Sequence, residues 1–250
     1  MNAVAMEHQT ISEYRKLIST RSVYAMLAGL IAVVAFGTVS IVASSKAQQL
    51  SAPIQQQPFL HVVMVIAPLF GLLLGLRSFT DEFRYGSIVP TLLASPNRGR
   101  VLAAKVITVG AGAAVLTLVG TVTSIGIGAP ILVVKGVPIA WSGAGLATIV
   151  GRLLAASAVW GVIGVGLGLA VKHQVAAIAG SLIWLLAAEG ILSDVIPKVA
   201  RYFPGTAGLA FAGISPNSVL RPEVGAIVLT GYAVLAVIAG AVLMQHRDIA

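Results

Sequence analysis

Side chains able to do chemistry are few in this chain of 250 residues, and they are scattered. The histidines, His8, His61, His173 and His246, fall in two tails, one apolar run and one short connection, with no spacing that would bring two onto one metal. Asp81-Glu82 is the one adjacent acidic pair, and it sits among arginines rather than beside further metal ligands. No HExxH, GxSxG or GxxxxGK[ST] motif occurs, so zinc hydrolysis, an elbow-mounted serine nucleophile and a phosphate-cradling loop are not encoded. The absence of cysteine removes disulfides, thiolate chemistry and Cys-ligated metals. Three charges, Arg152, Glu189 and Asp194, lie inside long apolar runs. Each would cost about 2.5–3.5 kcal/mol at a bilayer centre, which makes such residues functional candidates by default. At 1.5 Å per residue, Arg152 and Glu189 lie about 10 Å below the same membrane surface, so they are expected to pair across adjacent helices. Asp194 is near enough to the boundary to be solvated.

The elements that must position these residues follow from composition. The apolar set makes up 58% of the chain, with 27 glycines besides, and charged residues only 10%. Soluble domains average about 45–50% apolar, glycine included, and about 25% charged. With a mean hydropathy of +0.97, a soluble enzyme, a disordered chain and a secreted disulfide scaffold are excluded. A polytopic, all-α membrane protein remains. A span needs about 20 apolar residues. Six runs meet this, at about 23–43, 59–76, 106–128, 145–171, 175–196 and 224–244, and leave no room for a second domain within 1–250. The first run follows a polar lead, 1–22, and is longer than the 7–15 residues of a signal peptide's apolar region, so it reads as a retained helix. With the N-terminus inside, ten Lys and Arg fall on the inner side and five on the outer, which places both termini in the cytoplasm. The net charge of +8 therefore reflects positive-inside bias, and no basic stripe interleaved with aromatics points to nucleic acid.

The connections add detail. In residues 11–24, Ile11, Tyr14, Leu17 and Ile18 form one stripe while Glu13, Arg15, Lys16 and Arg21 fall elsewhere, the pattern of an amphipathic helix on the inner leaflet. The outer segment 197–222 carries four prolines but is apolar over 206–214, which predicts a short helix dipping back into the membrane. Gly164-x-Gly166-x-Gly168 lies mid-span with no preceding strand. It is a small-residue packing surface, not a dinucleotide fingerprint. The longest inner connection, 77–105, has a charged head, an apolar middle (Ile88, Val89, Leu92, Leu93) and a basic tail. A short amphipathic helix projecting between two spans can dock in a partner's groove, although a solvated inner loop would carry similar charges.

That connection resembles the type-2 ABC exporter permeases, whose pattern runs roughly Glu-x-Arg-x-Gly-Thr-Ile, then Thr-Leu-Leu, Pro, Arg and Lys. Glu82, Arg84, Gly86, Ile88, Thr91, Leu92, Leu93, Pro96, Arg98 and Lys105 match, with Ser87 where threonine is commoner. Residues 13–22 are similar to the family's pre-span helix, and 164–185, with Gly168 and Lys172, to its fourth-to-fifth turn. The resemblance implies a half-transporter subunit that pairs with a second permease, identical or paralogous, in a bacterial cell membrane. It implies that a separate ATP-binding subunit carries ATP and Mg, while this chain binds no cofactor and is not itself an enzyme. The coupling segment would comprise Asp81, Glu82, Phe83, Arg84, Tyr85, Gly86, Ser87, Ile88, Leu92 and Leu93. Glu13, Tyr14, Arg15, Lys16 and Leu17 would form the interfacial helix. Drugs, antibiotics or lipid-like molecules are the expected cargo. The alternative is a secondary transporter driven by protons or ions, with Glu189 and Asp194 as carriers.

Overall fold

Inside a bilayer no water satisfies backbone N–H and C=O groups, so apolar runs must close their hydrogen bonds internally. The computed structural model describes residues 3–45, 58–87, 90–91, 93, 97–139, 143–171, 173–213 and 220–245, which are almost wholly helical, with no strand among them. A lead helix, α1 (Ala3–Ser19), is separated from α2 (Arg21–Ser44) by the single extended residue Thr20. Then come α3 (Pro58–Arg84), α4 (Arg98–Val134), α5 (Gly143–Ala170) and α6 (Gln174–Val195), the last with a π-helical turn at Trp184–Ala188. Two short helices, α7 (Pro197–Ala200) and α8 (Pro204–Ala212), precede α9 (Pro222–Gln245). Six of these, α2 to α6 and α9, are long and apolar enough to cross a membrane, the architecture of a multi-pass membrane protein.

The six runs match the expected spans, but two extend well beyond them. The third helix continues past residue 76 to Arg84, and α4 begins at Arg98 and ends at Val134 rather than spanning 106–128. The long connection 77–105 is thus mostly helix, and so is the first part of the expected turn 129–144. At 37 residues, α4 is about 55 Å long, against about 30 Å of hydrocarbon. Hydropathy stops at the first charges. The helices do not, because those charges pair with one another and Asn97 caps α4 by accepting from Arg100 N at 3.1 Å. Ile88, Val89, Leu92, Pro96, Lys172 and Ile214 lie outside the described residues.

The central helix is α5, which packs against α3, α4, α8 and α9. Its glycines make this possible. A Cβ on Gly164 or Gly168 would run into the α3 backbone at Leu72 and Leu76, and one on Gly166 into α9 at Ala236. The Gly-x-Gly-x-Gly pattern therefore serves two neighbours, one on each side of α5. A second core joins α2, α3 and α4 through Leu30, Val34, Val63, Ala67 and Leu116. Polar groups within this core pair, as in Thr38 Oγ1 with Ser124 Oγ at 3.0 Å. At the end away from α1, Lys135 Nζ donates to Val42, Ala43 and Ser45 carbonyls at 2.6–3.1 Å and so closes the C-terminus of α2. At the other end Arg98 donates to Met244 O at 2.9 Å, which brings the end of α9 beside the start of α4. The described part of α6 is the least covered span, with 11% of its central window buried against 61% for α5.

Candidate functional site

The end of the bundle that carries α1 gathers most of the charge. Glu13 and Lys16 lie one turn apart on α1, and Ser78 and Glu82 one turn apart on α3, so each pair shares a helix face. Lys105, near the start of α4, reaches both faces. Its Nζ donates to Glu13 Oε2 at 2.6 Å, to Glu82 Oε1 at 2.9 Å and to Ser78 O at 3.0 Å. Lys16 Nζ closes the ring from the solvent side, at 2.8 Å from Glu13 Oε1 and 3.0 Å from Glu82 Oε1, with Thr91 Oγ1 at 3.3 Å. Three members are buried, Lys105 at 3% exposure, Glu13 at 5% and Glu82 at 7%, while Lys16 remains partly open. Lys105 also lies 5.0 Å from the Phe79 ring centroid.

Burial alone pushes the Glu13 carboxyl up, but Lys105 and Lys16 together outweigh it and hold the group below its ordinary value. Burial likewise pushes Lys16 down, and its hydrogen bond to Glu13 and the Glu82 charge more than reverse this, so it lies above the ordinary amine value. Both shifts favour the charged pair.

A second polar layer lies beside the first. Asp81 pairs with Arg77 at 3.1 Å, and Gln174, at the start of α6, donates to Asp81 Oδ1 at 2.8 Å and accepts from Arg84 at 3.1 Å. The third helix then stops on a left-handed glycine. Gly86 has φ +66°, Ser87 N donates to Glu82 O at 3.0 Å, and this six-residue closure is a Schellman stop. On either side of this stop Tyr85 is exposed at 72% and Leu93 at 79%, while Ser87 and Thr91 are half-buried. Pro90, Thr91 and Leu93 have helical backbone.

The structure thus joins two residue groups that the sequence reading kept apart, the lead helix and the head of the 77–105 segment. It also sorts them. Tyr85, Gly86 and Leu93 are exposed; Arg84 is exposed beside Gln174; Asp81 and Ser87 are half-buried. Glu82 is buried and offers no surface to a partner, and Phe83 is half-buried against the core. On α1, Tyr14 and Arg15 are exposed and Leu17 packs on the core. Ile88 and Leu92 are outside the described residues. Lys105 and Gln174 were missed as site residues. The available signal was a lone lysine in the apolar stretch 101–109, where only a buried partner would make it tolerable.

At the opposite end, the expected Arg152–Glu189 pair is not formed. Glu189, 5% exposed, instead accepts from Gly205 N at 3.0 Å, Thr206 N at 2.6 Å and Thr206 Oγ1 at 3.0 Å, capping the N-terminus of α8. The π turn at Trp184–Ala188 shifts the register immediately before Glu189, so straight α-helical counting misplaces that side chain. Arg152 lies by the turn at Gly213, where a Cβ would sit 2.9 Å from its Nη1. Asp194 is exposed near the end of α6. Glu189 borders a cavity of about 240 Å³ with walls that include Pro68, Leu69, Trp160 and Leu209.

The chain matches no protein-family model, and no curated protein matches it.

Proposed function

We propose that this chain is the membrane-spanning permease subunit of an ATP-driven ABC exporter, with ATP and Mg carried by a separate ATP-binding subunit. On this reading α1 is an interfacial helix, its exposed Ile11, Tyr14 and Ile18 facing lipid and its Glu13 facing protein. The segment 85–93 is the coupling helix, α8 is re-entrant, both termini are cytoplasmic, and the membrane is a bacterial plasma membrane. A second permease, identical or paralogous, completes the substrate path, and the cargo is a drug, an antibiotic or a lipid-like molecule. One observation supports this reading most. An exposed apolar tip, Tyr85 and Leu93, is borne on a helix end that buried ion pairs key to both α1 and α4. An ordinary solvated loop has no need of such a mount.

The test is purification from the native membrane in mild detergent, followed by reconstitution. A nucleotide-binding subunit should co-purify, and Tyr85→Asp combined with Leu93→Asp should release it while leaving the permease folded. Transport on an ion gradient alone, with no ATPase present, would select the ion-coupled alternative.

A further inference from the structure

Glu189 differs from the other buried carboxylates. Glu13 and Glu82 are each paired with two lysines, whereas Glu189 has no ion-pair partner among the described residues. Gly205 N, Thr206 N and Thr206 Oγ1 give it three hydrogen bonds but bring no full positive charge. Both oxygens act only as acceptors, the pattern of an ionised group. A carboxylate has about four acceptor sites, so one is left, on Oε2.

Glu189 and the two residues that hold it, Gly205 and Thr206, all lie on the wall of the cavity of about 240 Å³. The rest of the wall is mostly apolar, from Pro68 and Leu69 of α3, Trp160 of α5 and Leu209 of α8. Leu186 and Gly190 of α6 also border it and are exposed, so the cavity opens on the lateral face of the bundle.

Charge and lining together narrow the ligand. Inside an apolar crossing, a carboxylate without a counter-charge attracts a cation. A hard metal ion takes at least about six oxygen ligands, which walls of proline, leucine and tryptophan do not supply. An organic ammonium ion needs one carboxylate for its head and an apolar wall for its body. An apolar cavity of about 150 Å³ takes up benzene, so this one has room for an aryl ring with a short aminoalkyl arm.

We propose that this cavity binds a compact arylalkyl ammonium ion, with an N–H donated to Glu189 Oε2 and the ring laid against Trp160, Pro68 and Leu209. The donors of α8 stay in place, so the ligand adds to the capped carboxylate and does not displace the cap. The inference needs only the cavity and its carboxylate; it is independent of the exporter reading.

The experiment is equilibrium dialysis of labelled phenethylamine and labelled phenethyl alcohol against the full chain in nanodiscs of zwitterionic lipid, with empty nanodiscs subtracted. The amine should bind about tenfold more tightly than the alcohol, the scale of one charge-assisted hydrogen bond. Glu189→Gln keeps the side-chain volume, removes the charge, and should bring the ratio close to one. Gly190→Leu, whose new Cβ has nothing within 4 Å, occupies the mouth of the cavity and should weaken both compounds alike. Equal wild-type affinities, no binding above empty nanodiscs (the result if water or a cation from a second copy already fills the cavity), an unchanged preference in Glu189→Gln, or an unchanged affinity in Gly190→Leu would overturn the proposal. If Glu189→Gln does not fold, the wild-type ratio and Gly190→Leu decide.

Discussion

Replacing Lys105 by methionine keeps most of the buried stem and removes only the ammonium. That ammonium makes three contacts, at 2.6 Å to Glu13, 2.9 Å to Glu82 and 3.0 Å to Ser78 O. Removing one partner of a buried ion pair costs about 3–5 kcal/mol, because the other charge is left behind without water. Here Lys16 still reaches both carboxylates, at 2.8 and 3.0 Å, so the lower end applies, about 3 kcal/mol. Undocking of α1 returns Glu13 to solvent, so the penalty falls on the docked state. At 1.4 kcal/mol per factor of ten, the opening equilibrium of α1 rises about a hundredfold. Hydrogen exchange in lipid nanodiscs reads this directly. Amides of α1 should lose about two orders of magnitude in protection, while those of α5 stay as they were. The double variant Lys105→Met with Glu13→Gln removes one of the two anions that lose Lys105, the one on α1, and should recover part of the loss. A loss of less than about threefold on α1, or a double variant no better than the single one, would refute the reasoning.

Three further outcomes are expected. The Glu13 contribution to docking is present above its unfolded value of 4.5 and is lost as pH falls through its lowered native value; that of Lys16 is complete below 10.5 and is lost as pH rises through its raised native value. A spin-label distance between Ile11 and Gly99 should therefore stay constant across the neutral range and broaden only beyond those two limits. In Gly205→Ala the new Cβ would meet the Glu189 carboxylate at 2.7–2.9 Å, and Thr206→Val removes one of its three donors; thermal unfolding should show each variant less stable by about 1–3 kcal/mol. Gly168→Val should block the approach of α5 to α3 and yield misassembled protein by size-exclusion chromatography, whereas Gly231→Ala, with nothing within 4 Å of the new Cβ, should be neutral or gain up to about 1 kcal/mol.

The six crossings were legible because lipid tolerates little else than an apolar helix, so composition alone marks them. Their ends were not, because hydropathy measures contact with lipid while a helix persists wherever its backbone bonds close. The last turns of α3 are polar in sequence yet internally paired in space, through Arg77 with Asp81 and Glu82 with Lys105. Glu13 and Glu82 were visible as candidates, but their meeting was not, since nothing local links residues so far apart in the chain. The error over Glu189 is more instructive. Counting depth along two straight helices put a cation at the right level, and opposite charge made the partner look natural. The structure instead offers two backbone amides at the start of α8 together with the Thr206 hydroxyl, which satisfy the carboxylate without desolvating a guanidinium. A π turn, which no hydrophobic period reveals, aligns Glu189 with them.

How the charges are used weighs between the two transport readings. An ion-coupled carrier needs a carboxylate that can exchange its proton or cation along the path. Glu13 and Glu82 are held by two lysines, Asp81 by Arg77 and Gln174, and Glu189 by the start of α8. Of the carboxylates named at sequence level as carriers, only Asp194 is open, and it is exposed near a helix end rather than set in a crossing. An ATP-driven permease needs the opposite economy, charges that lock elements together and an uncharged, movable surface. Because Glu82 Oε1 is shared by Lys16 and Lys105, a displacement applied at 85–93 cannot move α3 without loading α1 and α4, and Gln174 extends the same constraint to α6. The left-handed joint at Gly86 lies at the edge of that block, between the exposed Tyr85 and Leu93. On the exporter reading, the joint orients the tip against the ATPase while the block behind it moves as one body, which is the arrangement a coupling segment requires.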